Sequence, residues 1–160
     1  MISLDFLEKV EVFKGLDDDR LSAVLDCCQE SEYHRGEKLF GVKEKPLYLW
    51  AVIEGEIELR QERPESTQLK EICIASLTET MTFGWSSLVP PFKYSLSAYC
   101  ASRSCRVLTV EAKCLTRLFQ EDSKLGYMLM SKIVSVVGTR FYQLREEIIK
   151  GIGQDIINHW

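Results

Sequence analysis

Six cysteines and two histidines carry most of the reactive chemistry in this sequence: Cys27, Cys28, Cys73, Cys100, Cys105, Cys114, His34 and His159. A zinc site wants paired ligands at short spacing, with histidine help, and no C-x-x-C pair occurs. Most of the cysteines sit beside or within apolar runs. They are therefore expected to be reduced, buried thiols acting as small hydrophobes, with neither metal nor disulfide bonds. Glu54, Glu56 and Glu58 recur at every second residue, which places all three carboxylates on one face of a strand. Charged groups so arranged form a solvated face far more often than a ligand cluster. A metal-dependent enzyme would need about three convergent ligands, and a serine hydrolase a Gly-x-Ser-x-Gly turn with a placed histidine. Neither set is present, so no catalytic residue and no metal site is expected.

The frame that positions these residues follows from composition and periodicity. The chain has 160 residues, 46% hydrophobic and 28% charged, with a net charge of −4. That composition belongs to an ordinary globular domain and offers no global charge argument for nucleic acid. Phe6, Leu7, Val10 and Phe13 fall at helical spacing. Asp17, Asp18 and Asp19 suit a helix start, followed by an apolar face of Leu21, Val24, Leu25 and Cys28. From Tyr33 to about Val110 the pattern is short strands and turns. His34-Arg35-Gly36-Glu37 is a turn. Leu47 to Arg60 is the clearest strand signal, with Ile53, Ile57 and Leu59 expected on one face. Residues 61–70 read as a hairpin tip with Pro64. Further strands are expected at 72–77, 94–101 and 106–110, together an antiparallel barrel or sandwich.

Helix returns after Glu111. Leu115, Leu118 and Phe119 mark a short one, and Ser123 is placed to cap a long one over about 123–150. Along it Tyr127, Met130, Val134, Val137, Phe141, Leu144 and Ile148 step by three and four, a heptad seam. Leu129, Ile133 and Val136 widen the apolar face. A helix of about 28 residues is about 42 Å long, longer than strands of about 17–20 Å can cover. A homodimer seamed by Met130, Val134, Val137, Phe141, Leu144 and Ile148 is expected, against the alternative of a helix packed only on its own domain. Residues 151–160 begin with helix-weakening glycines and read as a short extension to a single domain, 1–150.

Local motifs add a resemblance. They are Phe13-x-Gly15-Leu16 with Leu21, Gly36-Glu37-x-Leu39-Phe40, Leu47-Tyr48-x-x-x-Val52-x-x-Gly55-x-Ile57-x-Leu59, and Phe83-Gly84. In this order and spacing, from about Phe6 to Lys150, the chain resembles the cyclic-nucleotide-binding domain family, which includes catabolite activator effector domains and kinase regulatory subunits. The resemblance implies an α+β, mainly β fold: a jelly-roll-type β-roll with flanking short helices and a long C-terminal helix. It also implies a non-catalytic, ligand-sensing regulatory module.

In that family a Phe-Gly-Glu turn presents backbone N–H groups to a cyclic phosphate. An arginine about nine residues on pairs with the phosphate charge, and the glutamate accepts from the ribose. Here the candidate pocket is Phe83, Gly84, Trp85, Ser86, Ser87, Leu88, Lys93, Tyr94 and Ser95. Phe83, Gly84 and Leu88 keep the pattern. Trp85 stands at the glutamate position and Tyr94, on an ungapped count, at the arginine position. Upstream, the family's glycine–acid pair gives way to Glu79-Thr80-Met81-Thr82. Lys93 could supply a charge if the loop shifts by one, as a point charge and not a bidentate fork. Weak or absent binding of cyclic AMP and cyclic GMP is therefore expected, with the Trp85 indole taking ribose volume. The aromatics either shape a flatter pocket or fill it as core.

Transcription factors of the family carry a DNA-binding domain after the long helix, and about ten residues follow Lys150 here. Arg140, Arg145 and Lys150 are interrupted by Glu146 and Glu147, so no basic stripe forms. No direct DNA contact is expected, leaving a small-molecule effector or a partner protein. A structural dimerisation module with a vestigial pocket remains the alternative. No run is apolar enough to span a bilayer, and acidic residues break the N-terminal apolar pattern. Membrane association is not expected, and the expected compartment is the cytoplasm.

Overall fold

Both short N-terminal helices begin where a small polar side chain takes up a free backbone N–H. In the computed structural model, which describes residues 1–62 and 71–158, Ser3 Oγ accepts from the Phe6 N–H to open α1 (Leu4–Lys9). Asp17 accepts from the Arg20 N–H to open α2 (Asp18–Leu25). Eight strands follow: β1 (Cys28–His34), β2 (Lys38–Phe40), β3 (Tyr48–Glu54), β4 (Ile57–Gln61), β5 (Ile72–Leu77), β6 (Thr82–Phe83), β7 (Ser97–Cys100) and β8 (Ser104–Glu111). Two helices close the chain, α3 (Ala112–Glu121) and α4 (Ser123–Asn158). The strands make two four-stranded antiparallel sheets, ordered β1-β8-β3-β6 and β2-β7-β4-β5. The expected β-roll with flanking helices is thus present. Most of the expected hairpin tip, residues 63–70, lies outside the described residues, as does His159.

Several local expectations change. The run from Leu47 to Arg60 is two strands in different sheets. Gly55 sits at φ +89°, where a Cβ would stand 2.5 Å from the Ser104 carbonyl oxygen, so the chain turns there and needs a glycine. The turn flips the face: Val52, Ile57 and Leu59 are buried inside the roll, while Ile53 packs on the outside. β1 had no clear apolar signal, because it is a sheet edge. It pairs with β8 from Cys28↔Val110 to His34↔Ser104.

The α4 cap is Asp122, whose carboxylate accepts from the Leu125 N–H at 3.1 Å, and not Ser123. α4 runs 36 residues and passes through Gly151 and Gly153. Each glycine costs a helix about 1 kcal/mol, which weakens it without ending it.

The cysteine expectation is corrected for four of six residues. Disulfides join Cys27 to Cys114 and Cys100 to Cys105, with Cα–Cα distances of 5.7 and 6.0 Å, both within bonding reach. The first pair is 87 residues apart in sequence and meets only because α2 and α3 lie side by side. Cys28 and Cys73 are free.

Two interiors result. Inside the roll lie Leu39, Phe40, Trp50, Val52, Ile57, Leu59, Phe83 and Tyr94. Between the outer sheet face and the helices lie Leu7, Phe13, Leu49, Ala51, Leu108, Leu125, Leu129 and Ile133. The expected seam of α4 divides. Met130 and Val137 lean on the chain's own helix-side core, whereas Val134, Phe141, Leu144 and Ile148 stand 69%, 62%, 37% and 55% exposed.

Candidate functional site: the turn after Phe83

The site begins at β6, where Phe83 is fully buried in the roll. Gly84 follows with φ +72°, and a Cβ there would stand 2.5 Å from Trp50 Cδ1. Only glycine combines that backbone with so close an approach. Trp85–Ser87 then form one 3-10 turn, held by Ser87 N–H to the Gly84 carbonyl and Leu88 N–H to the Trp85 carbonyl. Ser87 Oγ also donates to the Gly84 carbonyl at 3.1 Å. The N–H groups of Trp85 and Ser86 precede the first turn bond, which is the arrangement that receives an anion at a helix start.

Beyond the turn the candidate residues separate. Leu88 is buried on the helix side. Lys93 and Ser95 are exposed, and among the described residues neither makes a hydrogen bond or ion pair. Tyr94 turns into the roll and is buried. Its ring stacks on Phe40 at 3.9 Å between centroids and 12° between planes. Trp50 Nε1 donates to Tyr94 Oη at 3.4 Å. Phe83 stacks against both Phe40 and Trp50 at about 6 Å. Burial pushes the Tyr94 hydroxyl pKa up. Tyr94, which an ungapped count sets against the family arginine, thus lies in an aromatic stack inside the roll.

Trp85 takes the opposite side of the sheet from Tyr94. Its indole leaves the roll and packs against the helix-side core, with the Arg140 guanidinium of α4 over the ring at 5.1 Å. Arg140 Nη2 donates to Glu11 Oε1 at 2.6 Å, and the same oxygen accepts from the Thr82 N–H at 2.7 Å. Glu11 therefore ties the strand entering the turn to the helix that covers it. Burial lowers the Arg140 pKa, and the Glu11 charge opposes that shift. Arg140 Nη1 is buried and has no partner among the described residues. Phe40, Trp50, Glu11 and Arg140 were not among the sequence-derived site residues. Trp50 inside an apolar strand run was the one visible signal. Nothing in sequence links Glu11 to Arg140.

Solved structures share this two-sheet roll closed by a glycine turn and backed by helices. The chain superposes on a Geobacter metallireducens protein assigned to cyclic-nucleotide binding, with TM-score 0.75 and 26% identity over 88% of this chain and 99% of that one. A cyclic nucleotide-binding domain from Methylobacillus flagellatus gives TM-score 0.77 at 18% identity, covering 92% and 81%. The Thermus thermophilus catabolite activator protein gives TM-score 0.69 at 19%, covering 86% and 61%. No family model matches the sequence, and no curated protein matches it. The fold is that of the cyclic-nucleotide-binding domains, which serve as regulatory modules. Among the described residues no helix is long and apolar enough to cross a membrane.

Proposed function

We propose that this chain is a non-catalytic regulatory module whose roll is not tuned to cyclic AMP or cyclic GMP, and which works as a cytoplasmic homodimer through α4. The observation that carries the reading is the Tyr94–Phe40–Trp50 stack at the place where a phosphate would meet its arginine. Losing a charged hydrogen-bonding partner at such a site costs about 2–5 kcal/mol. At 1.4 kcal/mol per tenfold, that moves a micromolar affinity toward millimolar. The backbone donors of the Trp85 turn remain, which supports an effector of other chemistry, small and anionic or aromatic, or a partner protein. The candidate pocket is the turn and loop from Phe83 to Ser95. Signalling by direct DNA contact is disfavoured, because Arg140 is spent on Glu11 and Arg145 faces Glu146.

The exposed residues Val134, Phe141, Leu144 and Ile148 support dimerisation, since a single-copy helix would leave them in water. Sedimentation at micromolar concentration should give a dimer, and Phe141→Glu should split it by burying a charge at the seam. Calorimetric titration with cyclic AMP and cyclic GMP should give no saturable heat below about 100 μM; micromolar affinity for either overturns the reading. The same stack also favours a second reading, a dimerisation module with a vestigial pocket. A panel of nucleotides and small anions separates the two: any ligand that raises the melting temperature supports sensing.

A further inference from the structure

We propose that Cys114 and Cys27 form a reversible thiol–disulfide switch that clamps α2 to α3, with Cys114 as the reactive thiol. The disulfide runs from the residue just before β1 to the third residue of α3. Cys114 therefore sits in the first turn of a ten-residue helix, where free N–H groups favour a thiolate over a thiol. Arg117, one turn on, brings Nη2 to 3.6 Å from Cys114 Sγ, and Lys113 adjoins it. Two acids lie close in the chain, Asp26 beside the Cys27 end and Glu111 ahead of α3, but the guanidinium is the charged group in contact with the sulfur. Cys114 is half-buried and open to a small reagent, while Cys27 is 7% exposed.

The neighbouring cysteines show the selectivity. Cys28 adjoins Cys27 in sequence, yet its thiol points back to the Val24 carbonyl at 3.1 Å. Burial, with Asp26 nearby, pushes it up to about 12, so it stays protonated and inert. Cys100 and Cys105 are closed to solvent inside the roll. Only the 27–114 pair joins an accessible, cation-paired sulfur to a buried partner.

The chemistry requires a small disulfide oxidant of the glutathione type. The Cys114 thiolate attacks one of its sulfurs and expels a thiolate, giving a mixed disulfide. Cys27 loses its proton and attacks Cys114 Sγ, expelling the second thiolate. Two protein thiols are oxidised and one small disulfide is reduced to two thiols, each taking up one proton. A thiol pool reverses both steps, which reconciles the bond with a reducing compartment. Closure fastens α2 to α3 across the same gap that the Arg20–Asp122 ion pair spans at 2.7 Å.

The test uses the full chain, reduced and then equilibrated with reduced and oxidised glutathione, with linkages mapped by peptide mass. A Cys27–Cys114 bond should form and dissolve with the ratio, while Cys28 stays a thiol. On the reduced protein at pH 7, iodoacetamide should label Cys114 about tenfold faster than exposed Cys73, and Arg117→Ala should slow that labelling about fivefold with circular dichroism unchanged. Cys27→Ser should trap glutathione on Cys114. A linkage through Cys28, a bond that does not respond to the ratio, Cys114 labelling no faster than Cys73, or indifference to Arg117→Ala would each overturn the proposal.

Discussion

Leu49 and Trp50 are neighbours on one strand and belong to different interiors. Leu49 and Ala51 face the helices; Trp50 and Val52 face the inside of the roll. The helix-side interior is mostly aliphatic, with Phe13 at its centre and Trp85 against it, and is tied at its margins by polar contacts, including Glu11–Arg140 and Arg20–Asp122. The roll interior carries an aromatic cluster, Phe40, Trp50, Phe83 and Tyr94, with a hydrogen bond from Trp50 to Tyr94 across the stack. These four side chains fill that space with stacked rings. On the outer side, Glu11 and Arg140 join the strand entering the turn to α4.

The largest effect should come from the roll. Trp50→Ala should destabilise by about 3–5 kcal/mol in urea denaturation, from lost burial plus a cavity. Added indole should recover part of that loss by refilling the space, and no recovery would mean that the rings are not a plug. Next, Leu129→Ala on the helix side should cost about 2–4 kcal/mol. Native-state hydrogen exchange should then accelerate in α4 while amides of β4 and β7 hold their protection; equal acceleration in both regions would erase the distinction between interiors. A double-mutant cycle of Glu11→Gln with Arg140→Met should give a coupling of about 1–2 kcal/mol, as for a partly buried charge-assisted pair. Zero coupling would detach the turn from the helix.

The smallest effect concerns pH. Hydrogen bonding to Arg20 holds the Asp122 carboxyl below its usual range, helped by the Leu125 N–H. A depressed folded value makes the pair's contribution complete above the unfolded aspartate pKa of about 3.9, and lost as pH falls through the folded value. Asp122→Asn should therefore lower the melting temperature slightly at neutral pH, flatten the acid limb, and converge with the parent protein well below about pH 4.

Much of this frame was readable from periodicity and motif spacing. Helix positions, the turn at Gly36 and the Phe83-Gly84 turn all appear where local residues demand them. What could not be read depends on distant partners. β1 is a strand because β8 lies beside it, and its own residues alternate weakly. Cys27 meets Cys114 only after α2 and α3 pack. For Trp85 the sequence showed an aromatic at the glutamate position but not which interior it enters. Its side is set by Arg140, 55 residues later on α4, and a ring over a guanidinium leaves no local signature. Thr80 adds a backbone case: a β-branched residue at φ +70°, held by Glu11 N–H to its carbonyl and its own N–H to the Val52 carbonyl.

α4 has a mechanical consequence. Arg140 ties it to the body through Glu11, and the helix continues to Asn158. At 1.5 Å per residue the stretch beyond Arg140 is a rod of about 27 Å. A tilt of about 10° at the docked end would carry the far tip about 5 Å sideways. A displacement too small to rearrange the packing around Leu129 thus arrives at the other end as a sideways shift of several ångströms. The molecule is built like a pointer, with a short arm fixed on the body and a long arm that magnifies what the body does.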